Sequence, residues 1–248
     1  NPEFISDSEI LRNLNPEKPC TGYLNWAEIT EMQKSGLVDF QSHSMSHTWY
    51  FTSNKIIDYY LPMAFKSLNY KQYPWISWNH KPELKPLSFT DQEYVYPDPL
   101  PIFENGRSLG IRKFFPAPET ISKITQLISE LKPNITNQNY KELINNKIRQ
   151  NRINVTGNYE TNIQMEERYR YELEQSKKVI EEKLGKEIEI ICWPGGAMNQ
   201  TSLKIASDVG YKAFTINEGK NIPNSGMLAL QRSGMSDSIG FKDVNFGP

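Results

Sequence analysis

The chain contains two blocks in which apolar and polar positions repeat with helix or strand periodicity, separated by a long segment without such a pattern. In the first block, Trp26, Ile29 and Met32 are spaced as on one face of a helix, and Gly36 follows as a left-handed stop. Residues 37–42 then alternate between apolar and polar side chains, which is typical of a half-buried strand. The first block therefore predicts a helix followed by a strand.

The second block predicts two helices, each followed by a strand, and one further strand. In chain order these elements cover residues 166–184, 187–193, 199–209, 212–217 and 228–232. Gly185 and Gly210 supply the stops of the two helices, and the second helix begins at Asn199 or Thr201. Alternating helices and strands predict parallel βα units, in which chemistry lies at the C-terminal ends of the strands.

Two of the only three histidines, His43 and His47, follow the first predicted strand. Imidazoles four residues apart converge on one metal ion if the residues between them make a tight turn. A catalytic site of this kind still needs a third protein ligand. The alternative is that both residues cap the end of the strand and form hydrogen bonds with the backbone.

A second candidate feature lies at the end of the strand predicted over residues 187–193. Pro194 and Gly196 belong to a turn that cannot continue a sheet ladder. Because this turn and the histidine pair both follow the C-terminal end of a strand, we expect them to share one site.

Composition sets limits on the partners of the chain. With 248 residues it can bury a sizeable core, as one domain or as one domain with an insertion. A formal net charge of -1 gives no reason to expect nucleic acid or an anionic membrane surface as a partner. The sequence has no apolar run long enough for a transmembrane segment and carries no targeting signal. Cys20 and Cys192 do not indicate a disulfide scaffold.

The long segment between the blocks, residues 50–160, is rich in Tyr, Trp, Pro and Asn. Its turn-rich character predicts an irregular insertion, of the kind that forms lids or binding loops. Trp75, Trp78 and His80 either stack on sugar rings or form a small core of the insertion itself.

The two blocks together resemble the polysaccharide deacetylases of the NodB-homology type, which are metal-dependent carbohydrate esterases. The segment HSMSH, from His43 to His47, is similar to the metal-binding motif H-(S/T)-x-x-H of that family, and the later segment CWPGG is similar to its groove-wall motif. The resemblance covers roughly residues 21–49 and 165–233. It implies a divalent metal, usually zinc, bound by His43 and His47.

The groove-wall motif gives the resemblance its candidate substrate-binding residues. These are Trp193, Pro194, Gly195 and Gly196. The implied fold is α/β, an incomplete, distorted (β/α) barrel of the NodB-homology type. Residues 1–49 and 161–248 would form this barrel without its N-terminal strand, and residues 50–160 would form a long irregular insertion over the barrel mouth.

The chain also departs from the family pattern. The motif T-F-D-D, which supplies the catalytic base and an aspartate ligand, is absent, and Asp7 is a poor substitute because no strand pattern flanks it. Cys192 and Gly195 replace the arginine and the aromatic residue of the groove-wall motif, and no histidine follows residue 80. We expect the missing strand to precede Asn1 in a longer protein. The alternative is that it has been lost, and the catalytic residues stay unassigned.

The resemblance implies a metal-dependent hydrolase that removes N-acetyl groups from an amino-sugar polysaccharide of a bacterial cell wall or exopolysaccharide. The alternative function is a non-catalytic carbohydrate-binding or scaffold protein on the same fold, and a third is a structural metal site without a sugar role. The expected partner is an N-acetylated polysaccharide, in an extracytoplasmic or cell-surface location. As given, the chain is expected to be inactive or nearly so.

Overall fold

The computed structural model describes residues 24, 26–61, 73–80, 100–131, 136, 139–218, 221 and 230–232. In chain order the elements are α1 Trp26–Lys34, β1 Trp49–Tyr60, α2 Pro74–His80, β2 Leu100–Arg107, β3 Phe114–Pro116, α3 Pro118–Leu131, α4 Tyr140–Gln150, β4 Gly157–Tyr159, α5 Asn162–Leu184, β5 Ile190–Cys192, α6 Gln200–Val209, β6 Ala213–Glu218 and β7 Leu230–Arg232. Two short 3₁₀ turns cover Ser108–Gly110 and Pro194–Gly196. Asp7, Cys20 and the side chain of His80 lie outside the described part of the chain.

A parallel three-stranded sheet, ordered β5-β6-β7, forms the centre of the second block. Ile191 pairs with Phe214 and Cys192 pairs with Thr215, and α6 connects β5 to β6. This arrangement confirms the predicted βα units and the α/β class. The described strands form sheets of two, two and three strands, so a barrel stays a prediction.

The helix α5 packs on this sheet and has defined ends. It begins earlier than the predicted residue 166 because Thr161 forms a capping box with Gln164. It ends at Gly185, whose φ of 64° is the left-handed conformation predicted for the stop. On its inner side, Tyr169 and Leu173 are fully buried in a cluster with β5 and β6.

The strand predicted over residues 37–42 is wrong for most of its length. Only Ser42 pairs with β5, in a parallel bridge to Ile191. Near Ser42, side-chain oxygens accept hydrogen bonds from backbone amides in place of strand partners. Gln33 Oε1 accepts from the amide of Phe40, and Gln41 Oε1 accepts from the amide of Ile190. The prediction holds only at the end of the segment, where Ser42 delivers His43 to the sheet.

The described part of residues 50–160 is regular, which corrects the expectation of an irregular insertion. β1 and β2 form an antiparallel pair with Trp49 opposite Arg107, and β3 pairs with β4. Two apolar clusters form within it, one between β1, α3 and α4 and the other between β1, α2 and β2. Trp75 is buried in the second cluster and Trp78 packs against it, so both serve the core of the insertion. Its position over a barrel mouth stays a prediction.

No helix of the described residues is both long and apolar enough to cross a membrane.

Candidate functional site

The two histidines lie at the C-terminal end of the parallel sheet. The amide of Cys192 donates to the carbonyl of Ser42, so Ser42, the residue before His43, lies beside β5. His43 Nδ1 lies 2.6 Å from the carbonyl oxygen of Cys192. The ring centroids of His43 and His47 are 4.8 Å apart. The fold therefore brings the predicted pair together at the predicted end of the strand.

The turn between the histidines has an unusual backbone. Ser44 has a φ of 68° and His47 has a φ of 47°, although neither residue is glycine. Left-handed residues of this kind cost of order 1–3 kcal/mol each and persist where the surroundings hold them, often at functional sites. Ser44 contributes to the turn, since its Oγ accepts a 3.3 Å hydrogen bond from the amide of His47.

Helix α5 supplies the groups that hold this turn. Glu172 is 3% exposed, and its carboxylate accepts from the amide of Ser46 at 2.8 Å and from the Ser46 hydroxyl. The carbonyl of Glu172 accepts from the amide of Met45 at 3.0 Å. One turn further along, Ser176 Oγ lies 2.8 Å from Ser42 Oγ. Glu172 and Ser176 therefore fix both sides of the histidine turn.

Arg168 lies one turn before Glu172 on the same face of α5 and connects the helix to the insertion. Its guanidinium pairs with the buried carboxylate of Glu160 and donates to the carbonyls of Ser108 and Ile111. Four-residue spacing places side chains on one face of a helix. We call Arg168, Glu172 and Ser176 the α5 polar stripe.

The sequence did not point to Arg107, yet this residue faces the histidine pair. Its guanidinium lies 4.1 Å from the ring centroid of Trp49, the residue opposite it in the hairpin. Its Nη1 lies 3.4 Å from His47 Nε2. Gly195 has a φ of 56°, and a Cβ at that position would overlap Arg107 Nε. The small residue in the predicted wall thus makes room for an arginine from β2.

Arg107 has no carboxylate partner among the described residues. Burial lowers the pKa of its guanidinium, which remains a cation with donors only. The site therefore carries one positive charge that described acidic groups do not neutralise.

The hydrogen bonds determine which nitrogen of each neutral imidazole holds the lone pair. A carbonyl oxygen only accepts, so His43 Nδ1 carries the proton and its Nε2 holds the lone pair. A guanidinium only donates, so the weak contact with Arg107 also assigns the lone pair of His47 to Nε2. Metal-binding histidines commonly donate their second ring nitrogen to a backbone carbonyl, as His43 does.

The distance between the two rings is compatible with one shared metal ion. Two imidazoles that bind one zinc ion through Nε2 place their centroids roughly 5 Å apart, close to the 4.8 Å observed here. The described residues contain no group of three or more His, Cys, Asp or Glu that could hold a metal. The candidate carboxylates Asp7, Asp237 and Asp243 lie outside the described residues. The described residues therefore place two imidazoles side by side at this end of the sheet, without a group of three such ligands.

The predicted wall residues divide into two kinds. Trp193 is fully buried and packs edge-on against Phe214 at 5.9 Å, so its side chain is a core residue and the expectation that it lines a groove is corrected. Strand alternation gives the reason, because Ile191 and Trp193 point to the same, inner side of the sheet. Pro194 is also buried, whereas Gly195 is exposed and leaves the space that Arg107 occupies.

Comparison with known proteins gives one match to a family. Residues 139–214 match the model of the polysaccharide deacetylase family. The chain is similar to polysaccharide deacetylases over this segment. The match covers less than half of the chain and contains α5, β5 and the Pro194–Gly196 turn, but not the histidine pair. It confirms the resemblance stated from the second sequence block.

Solved structures show a weak similarity in fold. The deacetylase domain of BpsB from Bordetella bronchiseptica is 18% identical with a TM-score of 0.47, and the match covers 85% of this chain and 48% of that one. A de-N-acetylase from Aggregatibacter actinomycetemcomitans is 14% identical with a TM-score of 0.46, and the match covers 90% of this chain and 52% of that one. The chain thus spans about half the length of these proteins. Comparison with curated proteins gave no significant match.

Proposed function

We infer that this chain is part of a metal-dependent hydrolase that removes N-acetyl groups from an amino-sugar polysaccharide. The observation that supports this function is the geometry of His43 and His47, whose Nε2 lone pairs lie at the C-terminal end of a parallel sheet. The similarity of residues 139–214 to polysaccharide deacetylases supports the same reaction. The partner is an N-acetylated polysaccharide of a bacterial cell wall or exopolysaccharide, in an extracytoplasmic or cell-surface location.

Residues of the site would have separate roles in amide hydrolysis. His43 and His47 would hold a divalent ion, with zinc the best match to two imidazoles. When bound, such an ion lowers the pKa of water and polarises a carbonyl group. The guanidinium of Arg107 lies beside His47, where its positive charge would stabilise negative charge that develops on an acetyl oxygen. The carbonyl of Cys192 keeps His43 in the tautomer that can bind a metal.

Zinc titration of the 248-residue chain tests the metal site. We expect binding of one zinc ion, with a large loss of affinity in His43→Ala and in His47→Ala. His80→Ala is the matched control because it removes the third histidine of the sequence, and it is expected to bind zinc like the wild type. Equal zinc content in all four proteins would refute the metal site.

Acetate release from acetylated chito-oligosaccharides, with zinc or cobalt in excess, tests the reaction. General-base assistance is worth roughly 10²–10⁴-fold in rate, and the given sequence lacks the T-F-D-D motif that supplies the base in the resembling family. We therefore expect release by this chain to lie at or near background. Robust release would contradict that expectation and direct substitution to Asp7, Asp237 and Asp243 as sources of the base.

A non-catalytic carbohydrate-binding protein is the second candidate function. It is favoured by one observation, the lack of a third metal ligand among the described residues. Binding of chito-oligosaccharides by a chain that binds no zinc would support this function over the hydrolase.

A further inference from the structure

A cavity of about 270 Å³ lies between β1, α2 and β3, apart from the histidine pair. Half of its lining residues are aromatic, namely Tyr50, Phe51, Trp75, Phe114 and Phe115, and Lys113 also lines it. Typical drug-sized sites span roughly 300–1,000 Å³, so this cavity suits a group of the size of one ring. Phe115 is 43% exposed, which leaves one wall open to solvent.

Lys113 is the charged residue among those that line this cavity, and no ion pair joins it to a carboxylate within the described part of the chain. Its ammonium lies 4.1 Å from the ring centroid of Tyr50 and 4.8 Å from that of Phe115. Two other lining residues carry polar groups, Tyr50 and Asn79. The amide of Asn79 is already bonded to the Trp49 carbonyl and to the Thr48 hydroxyl. An ammonium has three donors, and aromatic faces attract its charge without providing a counter-ion.

The nearest carboxylate does not neutralise Lys113. Glu160 accepts from the backbone amide of Lys113 at 2.7 Å, and its two oxygens also bind the guanidinium of Arg168. Burial and the charge of Arg168 lower the pKa of Lys113, and the charge of Glu160 offsets this only in part. An anion in the cavity would therefore add a counter-charge to a lysine that Glu160 compensates only in part.

The contrast with other lysines makes this position distinctive. Among the described residues, two other lysines are similarly half-buried, and each contacts a carboxylate: Lys177 pairs with Glu181 and Lys186 pairs with Asp39. Lys113 has the two aromatic rings and no acidic partner among the described residues.

We propose that this cavity binds an acidic sugar unit, with the face of the pyranose ring on the exposed ring of Phe115 and its carboxylate on Lys113. The apolar C–H face of a pyranose matches an aromatic wall, and the size of the cavity fits a single ring. The choice of a sugar rests on the proposed function, because the cavity begins only three residues along the chain from His47. The substrate would then be a polysaccharide that contains both N-acetylated and carboxylated sugars.

Calorimetric titration with two tetrasaccharides tests this proposal. One alternates N-acetylglucosamine with glucuronate, and the other is neutral and contains N-acetylglucosamine alone. We expect the acidic tetrasaccharide to bind at least tenfold tighter than the neutral one, with an affinity that falls as salt is added. Equal affinity for the two, or no binding of either at millimolar concentration, would overturn the proposal.

Matched variants assign the effect to the cavity. Lys113→Met removes the charge at similar side-chain length and is expected to abolish the preference for the acidic tetrasaccharide. Lys123→Met is the control, since Lys123 is an exposed residue of α3, and it is expected to retain the preference. Phe115→Ala is expected to weaken both ligands through loss of the stacking surface. An unchanged preference in Lys113→Met, with wild-type circular dichroism, would overturn the proposal.

Two further titrations distinguish a sugar site from a general anion site and from the histidine pair. In the first titration, inorganic phosphate and glucuronate each compete with the acidic tetrasaccharide. If phosphate displaces it as effectively as glucuronate, the cavity is a general anion site and the sugar assignment is overturned. The double variant His43→Ala/His47→Ala is expected to bind the acidic tetrasaccharide like the wild type. That result would support a sugar site that is independent of the histidines. It would do so even if the zinc titration refutes the metal site and with it the proposed hydrolase function.

Discussion

Removal of the Glu172 carboxylate should destabilise the chain and release the histidine turn. This buried carboxylate accepts two hydrogen bonds from Ser46, one from its amide and one from its hydroxyl. Hydrogen bonds to charged groups contribute about 1.5–3 kcal/mol each, so Glu172→Ala is expected to lower the free energy of unfolding by about 3–6 kcal/mol. Glu172→Gln retains a partner for each Ser46 group and should cost only about 1–2 kcal/mol.

Urea denaturation followed by circular dichroism measures these differences. Glu174 is the matched control, because it lies on the same helix and is exposed. Its substitution by Ala or Gln should change stability by no more than about 0.5 kcal/mol. A zinc titration supplies a second readout, in which Glu172→Gln should weaken binding more than Glu174→Gln does. If Glu172→Ala and Glu174→Ala unfold at the same urea concentration, the inference that α5 holds the turn is wrong.

Three further predictions concern Arg107 and the ion pair of the insertion. In urea denaturation, Gly195→Ala should lower the free energy of unfolding more than Gly185→Ala does. Both glycines have a positive φ, but only a side chain at position 195 would clash with Arg107. Equal losses of stability would contradict this packing. Glu160→Gln should cost about 3–5 kcal/mol in the same assay because it leaves the Arg168 guanidinium without a counter-ion, and a loss below about 1 kcal/mol would contradict that role. In calorimetry, the Arg107→Gln variant should bind zinc about tenfold more tightly than the wild type, a gain of about 1.4 kcal/mol. The reason is that the substitution removes a cation 3.4 Å from His47 Nε2. Weaker binding would show that Arg107 supports the metal.

Local patterns in the sequence predicted much of the second block. The glycine stops at Gly185 and Gly210 both adopt left-handed conformations, and Asn199, one of two candidate starts, caps α6. The meeting of His43 with the end of β5 followed from the rule that parallel strands bring their C-terminal ends together. These features depend on neighbouring residues or on a general topology, so a single sequence was sufficient to predict them.

Tertiary contacts explain what the sequence did not reveal. A polar residue on a helix usually indicates a solvated face, so Glu172 and Ser176 carried no marker of their own. A signal was present in their spacing, because both fall between the apolar positions Tyr169, Leu173 and Ile180 on the inner side of α5. Arg107 could not be found in this way. Its position depends on the pairing of β1 with β2. In that pairing Arg107 lies opposite Trp49, which is 58 positions away along the chain.

The α5 polar stripe makes the length of this helix a functional constraint. Each residue advances an α-helix by roughly 100° of rotation and 1.5 Å of rise. A single inserted residue between Arg168 and Glu172 would therefore turn one of them away from its partner, whatever side chain was added. The capping box at Thr161 and the stop at Gly185 leave little freedom to absorb such a change. Insertions and deletions in α5 should consequently be tolerated far less than substitutions on its outer face, and the insertion and the histidine turn should remain linked through its fixed spacing.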